Sequence, residues 1–497
     1  MSESAFRTRL FHCVEALRLL IQRPGFGVGP ASIGAELEMC IVDGKGHPLG
    51  LNEEIRSTVG DPRVTLEVNR FNLELNTSPQ SFEGPAFFTL GKQMFELLTA
   101  LESEAERREG HIVTIGILPT LREHDLDPAQ MTHADRYERM SAKLRAIRGQ
   151  PFRIKITGRD VVELACDDLT LEGANTALQL HLRVPPDRFG NVYDAANLAI
   201  APVLALAVNS PLLLGCDLWS ETRIPLFEQS VDVRHGASHG DPGRCSLGLD
   251  WVADGPDALF RQAVEHYPPL FDELSDEDPL AVVESGGVPS LSELRLHQST
   301  VWRWNRAVFD PSGEGHVRIE MRALPAGPSM VDMLANSAFL LGLTLGLEPE
   351  MDGIRERLTF DQVSHNFYSA AHDGASGLLS WPGPDGMVRL EAAELIPHLI
   401  PIAKRGLLSS GIDSEETDEL LRVIEERAER RMTGAEWQRA TLAAYQKECD
   451  RGTALRRMLI RYVECAGSGR PVAEWPIGDA DWTPEIGPSV WQAISPK

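Results

Sequence analysis

The sequence lacks the short motifs that identify the common nucleotide-binding folds and the zinc peptidases. GxxxxGK followed by Ser or Thr does not occur, and no GxGxxG follows a predicted strand, which excludes a P-loop and a dinucleotide-binding domain. HExxH is absent as well, so a metalloprotease of that type is excluded. Any bound ATP would therefore have to be held by metal ions and arginines.

Cysteine is sparse and irregularly spaced. The seven cysteines are odd in number and form no CxxC pair; they are Cys13, Cys40, Cys166, Cys216, Cys245, Cys449 and Cys465. A disulfide-stabilised secreted protein would space its cysteines differently. We therefore expect reduced, mostly structural thiols in a cytoplasmic protein. The N-terminal residues also lack the long apolar core and cleavage site of a signal peptide.

Positive charge is in deficit, with a formal net charge of -25 over 497 residues. Such a surface repels nucleic acid and anionic membranes, so neither is expected as a partner. The most apolar run, LAIAPVLALAVNSPLLLG, is interrupted by Pro202, Asn209 and Pro211. That pattern favours a buried helix ending in a turn over a membrane span.

The hydrophobic periodicity predicts an α+β architecture, with an antiparallel sheet in the first two-thirds and a helical C-terminal layer. We divide the chain into a catalytic core at 1–345 and a mostly helical part at 346–497 that forms one structural unit with it. The predicted helices are 1–23, 85–108, 132–147, 331–347, 391–409, 413–431 and 434–464. The segment 236–248 is rich in glycine and predicts a long loop, with a lid as one interpretation.

Four segments alternate apolar residues with polar residues of catalytic type. Residues i, i+2 and i+4 of a strand share a face. The polar faces comprise Glu36 and Glu38 in IGAELEMCIVD, Asn72, Glu74 and Asn76 in RFNLELNT, Gln179, His181 and Arg183 in TALQLHLRV, and Arg318, Glu320 and Arg322 in VRIEMRAL. A sheet with one face in water gives the same alternation. These faces, however, contain carboxylates, imidazole and guanidinium groups and no lysine.

If the four strands are neighbours, their polar faces bring together four carboxylates, one imidazole and several guanidinium groups. Closely packed carboxylates repel one another unless cations lie between them. Carboxylate oxygens are the ligands that Mg²⁺ prefers, and an arginine near them can hold a phosphate. This set of residues suits phosphoryl transfer, in which catalysis consists mostly of positioning and charge neutralisation.

At this point the sequence resembles the glutamate–cysteine ligase family, including its bacterial carboxylate–amine ligase branch. Five blocks occur in the family's order: GAELE, LELNTSP, LQLHLRV, ALAVNSPLLLGCDLWSETR and RIEMRALPAGPS. They span about 30–340. The resemblance implies a curved antiparallel sheet forming a funnel, similar to glutamine synthetase. It also implies an ATP-dependent ligase that joins a carboxylate, glutamate in the family pattern, to an amine through an acyl phosphate, with Mg²⁺ or Mn²⁺ as cofactor.

The resemblance also implies roles for individual residues. Glu36, His181 and Glu320 would bind a metal ion at the transferred phosphate. Glu38 and Glu74 would bind a second metal ion, with Glu67 as a further ligand. Catalytic roles fall to Glu320, to Arg322 at the phosphoryl group and to Arg223 at a substrate carboxylate or phosphate, while Arg318, Arg322 and Gln179 are assigned to the nucleotide.

Gln179 departs from the family pattern, because many bacterial members have the first histidine of an HxH pair there. The amino-acid substrates are therefore left open, beyond small molecules such as glutamate and an amine. A homo-oligomer is compatible with the resemblance. Two other functions stay open: a metal-dependent phosphotransferase acting on small molecules, and a non-catalytic protein that binds a nucleotide or an amino acid.

Overall fold

A computed structural model describes residues 3–234, 242–252, 255–384 and 386–480. The strands are β1 (Ser32–Asp43), β2 (Val64–Leu66), β3 (Asn72–Asn76), β4 (Gln80–Ser81), β5 (Gly110–Val113), β6 (Phe152–Thr157), β7 (Val161–Cys166), β8 (Ala177–Arg183), β9 (Leu212–Leu213), β10 (Cys216–Asp217), β11 (Cys245–Ser246), β12 (Trp302–Arg303), β13 (Asn305–Asp310), β14 (His316–Pro325), β15 (Leu378–Gly383) and β16 (Gly386–Glu391). Of the predicted loop 236–248, residues 236–241 lie outside the described residues.

The α-helices are α1 (Glu3–Ile21), α2 (Asn52–Val59), α3 (Ala86–Glu106), α4 (Asp135–Arg148), α5 (Phe189–Ala207), α6 (Arg223–Ser230), α7 (Pro256–His266), α8 (Pro279–Glu284), α9 (Ser292–Gln298), α10 (Met330–Leu347), α11 (Met351–Arg355), α12 (Phe360–Asp373), α13 (Ala392–Ser409), α14 (Ser414–Arg430), α15 (Gly434–Tyr445) and α16 (Arg451–Gly467). The mixed α and β composition confirms the predicted class.

The central sheet is antiparallel and has the strand order β13-β14-β8-β1-β3-β2, with β4 and β5 also paired to β1. It curls into a half-barrel, which confirms the curved sheet that the resemblance implied. A register irregularity in β14 between Met321 and Leu324 bends that strand where it runs beside β8. The four strands with polar faces are thus consecutive in the sheet, as β14-β8-β1-β3.

The pairing register sets the polar residues side by side. Glu36 lies opposite Gln179 on β8, and Glu38 lies opposite Glu74 on β3. Glu320 on β14 lies opposite His181 on β8. Because side chains alternate between the two faces of a strand, the intervening leucine, isoleucine and methionine residues of these strands are buried.

Helices cover the sheet in layers. Helix α3 contacts β1 and β3, and α5 contacts β13 and β14. Helix α10 packs on α3 and α5, and α13 and α14 pack on α10. An ion pair joins the last two layers: Arg427 of α14 lies 2.7 Å from Asp332 of α10, and both side chains are fully buried. Asp332 also completes the capping box of α10 with Ser329.

The prediction of one helix over 434–464 was wrong. The chain forms α15 and α16 there, and residues 446–450 separate them. Asp450 caps α16 by accepting a hydrogen bond from the Thr453 amide, so a new helix starts where continuity was expected. The hairpin β15–β16 inside the C-terminal part was not predicted either. The apolar run forms helix α5, which continues through Pro202 and ends at Ala207.

Two helical stretches, Phe189–Ala207 and Met330–Arg355, are long and apolar enough to cross a membrane by length and composition alone. Of the residues in the most apolar part of each, 94% and 83% are buried inside the protein, which is typical of core helices.

Candidate active site

Two side-chain hydrogen bonds join β1 to β8 on the polar face of the sheet. His181 Nε2 lies 2.8 Å from Oε1 of Glu36, and Gln179 Nε2 donates to Oε1 of Glu38 over 2.8 Å. Arg318 Nε donates to Nδ1 of His181 over 3.2 Å. Because arginine can only donate, the proton of His181 lies on Nε2 and faces Glu36. Burial opposes the ionisation of Glu36, but the hydrogen bond from His181 outweighs it and lowers the pKa of Glu36.

Two arginines hold Glu320. Arg322 Nη1 donates to Oε1 over 2.6 Å, and Arg306 Nη2 donates to Oε2 over 2.8 Å. Burial raises the pKa of Glu320, but the charges of Arg306 and Arg322 lower it further, to below its ordinary value. Both carboxylate oxygens are thus engaged within the protein. Glu36, His181 and Glu320, predicted to share a metal ion, are neighbours. Oε1 of Glu36, both ring nitrogens of His181 and both oxygens of Glu320 contact protein groups.

Three other carboxylates form a compact group, which we call the carboxylate trio: Glu38, Glu67 and Glu74. One ligand oxygen from each lies within 4.8 Å of the other two. Burial and the neighbouring carboxylates raise the pKa of Glu67, and the same causes raise the pKa of Glu74 to about 8. Burial also raises the pKa of Glu38. Ionising these three neighbouring carboxyl groups is costly without a cation. Their crowded oxygen atoms therefore suit a hard divalent cation.

The second group of possible metal ligands in the described part of the chain is Glu102, Glu106 and His111. It lies at the end of α3 and the start of β5, away from the polar face, and Glu106 is exposed. Glu102 already accepts from the His111 ring and from the Ile112 amide, so this group is satisfied locally.

Glu38 and Glu67 of the carboxylate trio border a narrow cavity of about 20 Å³, which we call the inner cavity. Its lining includes Glu38, Glu67, Asn72, Glu172, Asn175, Arg223, Phe227, Cys245, Trp302, Trp304 and Arg322. The polar side chains of β14, β8, β1 and β3 form a strip across the sheet, and the inner cavity lies at one end of it. A wider cavity of about 410 Å³, the outer cavity, opens at the other end of this strip. Its lining includes Glu36, His181, Arg183, Asp310, His316 and Arg318. On β1, Glu36 therefore faces the outer cavity and Glu38 faces the inner one.

Arg322 connects the two ends of this strip. Its Nη1 donates to Oε1 of Gln179 over 2.8 Å in addition to its bond with Glu320. Burial opposes the charge of Arg322, but Glu320 outweighs that effect and raises the pKa of the guanidinium. Arg318 stands at the outer cavity, where its Nη1 also lies 3.1 Å from Asp310.

Arg223 is held in the wall of the inner cavity by the turn that follows α5. The Asn209 amide donates to Glu221 over 2.8 Å, and Arg223 Nη1 donates to Glu221 over 3.0 Å and to the Ala323 carbonyl over 3.1 Å. Arg223 is 2% exposed, and its Nε has no hydrogen-bond partner in the described part of the chain. The backbone N–H of Asn209 thus supports this arginine through Glu221.

The sequence-based prediction missed several residues of the site. Trp302, Trp304 and Arg306 follow one another at i, i+2 and i+4, and all three reach the site. The segment WRWNR shows this spacing in the sequence. Had it been predicted as a strand, the three side chains would have been placed on one face. Glu172, by contrast, lies in a single 3-10 turn before β8, where no periodicity exists to single it out.

Comparison with known proteins identifies this architecture. The fold matches that of the glutamate–cysteine ligase from Francisella tularensis, solved in complex with AMP, with a TM-score of 0.52 and 11% identity over 89% of this chain and 90% of that chain. The sequence model of glutamate–cysteine ligase family 2 matches residues 32–463. The chain belongs to this family.

Two further solved structures align with lower scores. A bifunctional glutathione synthetase from Pasteurella multocida aligns with a TM-score of 0.47 and 13% identity, over 91% of this chain and 54% of that chain. The complex of the prokaryotic ubiquitin-like protein Pup with its ligase PafA aligns with a TM-score of 0.39 and 12% identity, over 86% and 72%. Among curated proteins, no sequence matches this chain.

Proposed function

We propose that the protein is an ATP-dependent ligase that joins a carboxylate, with glutamate as the leading candidate, to an amine through an acyl phosphate and releases ADP and phosphate. The observation that carries this proposal is the placement of two cavities at opposite ends of one strip of carboxylates and arginines. The nucleotide would occupy the wide outer cavity, and the carboxylate and amine would meet beside Arg322, at the edge of the inner one. Family membership supports the same chemistry.

The carboxylate trio fits Mg²⁺ or Mn²⁺, because three buried carboxylate oxygens converge there and their pKa values are raised in the absence of a cation. A bound divalent cation would neutralise charge on the phosphates. A second metal ion at Glu36, His181 and Glu320 stays a proposal of its own. It would require Arg306 and Arg322 to release Glu320, and Arg318 to release His181 Nδ1 so that the ring can change tautomer.

The side chains of this protein would bind and orient the substrates and stabilise the charge that develops during the reaction. Arg318 would contact phosphate oxygens in the outer cavity, and Arg322 would meet the charge that develops as the γ-phosphoryl group leaves ADP. Gln179 would orient Arg322 through the bond to its Oε1. Arg223, with its Nε free to donate, would hold a carboxylate of the substrate at the edge of the inner cavity.

Product analysis tests the proposal. The purified protein would be incubated with ATP, Mg²⁺ and a panel of amino acids paired with amines, and the nucleotide products separated. We expect ADP and phosphate whose release requires both an amino acid and an amine. Stoichiometric AMP would contradict the acyl-phosphate route, ADP release that needs only one substrate would indicate a phosphotransferase, and the absence of turnover across the panel would favour a binding protein. Glu320→Gln should abolish turnover and also lower the melting temperature, because it leaves Arg306 and Arg322 without their buried counter-charge.

A further inference from the structure

One wall of the inner cavity carries buried hydrogen-bond acceptors that have no donor. Asn72 and Asn175 are 1% and 8% exposed, and the Oδ1 atom of each has no partner within the described residues. The amide nitrogens fix which atom is free. Asn175 Nδ2 donates to the Leu171 and Glu172 carbonyls, and Asn72 Nδ2 donates to the Met39 carbonyl. Exchanging nitrogen and oxygen would set each oxygen against a carbonyl, so the free atoms are acceptors.

A carboxylate without a partner lies beside these two amides. Glu172 lines the same cavity, and across the described ranges its carboxylate accepts no hydrogen bond and forms no ion pair. The two cations of the lining are already engaged, since Arg223 pairs with Glu221 and Arg322 pairs with Glu320. Buried polar groups are normally satisfied, so this wall calls for a ligand that donates hydrogen bonds and carries positive charge.

Another part of the cavity lining is aromatic. The ring of Phe227 lies 6.3 Å from that of Trp302 and 5.7 Å from that of Trp304, and all three residues line the cavity. Aromatic faces attract organic cations, whereas Mg²⁺ keeps a shell of oxygen ligands and water. Glu172 is also outside the carboxylate trio, whose three oxygens already form a compact set for a metal ion.

We propose that this wall binds the ammonium group of an amino substrate, with Glu172, Asn72 Oδ1 and Asn175 Oδ1 accepting its three N–H bonds and the aromatic rings holding the adjoining carbon. An ammonium group supplies three donors and no acceptor, which matches the three unpaired acceptors. The cavity of about 20 Å³ holds a group of roughly the size of one water molecule, which suits a terminal ammonium. The inference rests on the proposed function for the identity of the ligand as a substrate.

Methylammonium chloride is the probe, used with the full chain in the presence of Mg²⁺. We expect it to raise the melting temperature saturably, because a ligand that binds the folded state stabilises it by mass action. Methanol at equal concentration, and sodium chloride at equal ionic strength, should give no such shift. Glu172→Gln keeps the shape and removes the charge, and should weaken methylammonium binding by at least about tenfold.

Glu416→Gln is the matched control, because Glu416 is a largely buried carboxylate far along the chain that accepts from the Phe87 and Phe88 amides. It should leave the methylammonium response unchanged. An equal response to methanol, no response in the wild type, or an unchanged response in Glu172→Gln would each overturn the proposal. The comparison of ligands on the wild-type protein keeps the test decisive even if Glu172→Gln does not fold.

The ammonium group has two sources, the amino-acid donor and the amine acceptor, and the turnover assay separates them. In Glu172→Gln, a rise in KM for the amino acid assigns the site to the donor, and a rise in KM for the amine assigns it to the acceptor. Unchanged KM values for both contradict the inference. Failure of ADP release in the wild type contradicts the proposed function instead, and leaves methylammonium binding measurable by the melt.

Discussion

The side-chain amide of Gln179 donates a hydrogen bond from Nε2 to Oε1 of Glu38 across 2.8 Å. The second oxygen of Glu38 accepts from the Ala177 amide over 2.7 Å, so β8 fixes both oxygens of this carboxylate. Because the Gln179 oxygen accepts from Arg322, one side chain couples the carboxylate trio to the arginine proposed to contact the phosphoryl group. Gln179 therefore determines how Glu38 is presented to a cation and how Arg322 is presented to a phosphate.

Gln179→Met tests this coupling, because methionine has a similar length and lacks the amide. We expect a loss of about 1–3 kcal/mol of unfolding free energy, since partners of a buried hydrogen-bonding group are left unsatisfied. The Mg²⁺ concentration required for half-maximal turnover should rise as well. Chemical denaturation and a metal titration of activity give the two values. Wild-type metal dependence in this variant would show that Glu38 is oriented without Gln179.

Millimolar Mg²⁺ or Mn²⁺ should raise the melting temperature by a few degrees, because the ion binds the folded trio and not the unfolded chain. Glu74→Gln should reduce this shift and also raise the melting temperature of the metal-free protein, since it removes a carboxyl group that burial and the neighbouring carboxylates make costly to ionise. Glu102→Gln, in the surface group near α3, should leave the shift unchanged. A Glu74→Gln protein that still responds fully to Mg²⁺ would contradict metal binding by the trio.

Arg322→Lys keeps the charge but loses the planar arrangement of donors that reaches both Gln179 and Glu320. We expect kcat to fall by about 10²–10³-fold, with a smaller change in KM for ATP, because a preorganised donor acts mainly in the transition state. Arg355→Lys is the control, since Arg355 pairs with the buried Asp194 and lines neither cavity. If Arg322 only stabilises the sheet, its substitution will lower the melting temperature and leave kcat per folded molecule unchanged.

Glu228→Gln gives a pH-dependent prediction. Burial raises the pKa of Glu228 to about 7, although hydrogen bonds from Trp304 and Tyr368 partly oppose this. The folded state therefore binds more protons than the unfolded state between about pH 4.3 and pH 7, so the stability that this group contributes is lost as pH rises through 7. Both hydrogen bonds end on Oε1, which glutamine retains.

We therefore consider the unfolding free energy of Glu228→Gln minus that of the wild type. This difference should be larger at pH 8 than at pH 5 by on the order of 2–3 kcal/mol. Urea denaturation at the two pH values measures it. A difference that does not change with pH would mean that Glu228 is ionised in the folded protein at pH 5 as well.

Much of the fold could be predicted because strand alternation is a local property of the sequence. Glu36, Glu38, His181 and Glu320 alternate with buried apolar residues, and the burial of one face decides which side chains point to the other. That the four strands are neighbours is a long-range fact. It followed from the chemical similarity of their polar faces and from the family resemblance, and not from the period of any one strand.

The remaining features depend on contacts between distant segments. Glu172 reaches the inner cavity because the turn before β8 packs against the segment before β3. This close packing requires glycine at position 173, since a side chain there would collide with Asn69 and Val68. The pairing of Arg306 with Glu320 depends on the register between β13 and β14. The division of 434–464 into two helices could have been predicted from the sequence, because Asp450 is a typical residue for the N-terminal cap of a helix.

The buried pair of Asp332 and Arg427 has a consequence for the synthesis of the protein. The two residues are 95 positions apart. At about 5–20 residues per second, Asp332 is synthesised roughly 5–20 s before its counter-ion. During that interval the carboxylate is without the charge that stabilises it in the interior, because a buried charge without a partner is costly. The nascent chain therefore cannot complete its native core until α14 has been translated, and a chaperone that shields α10 would act in this interval.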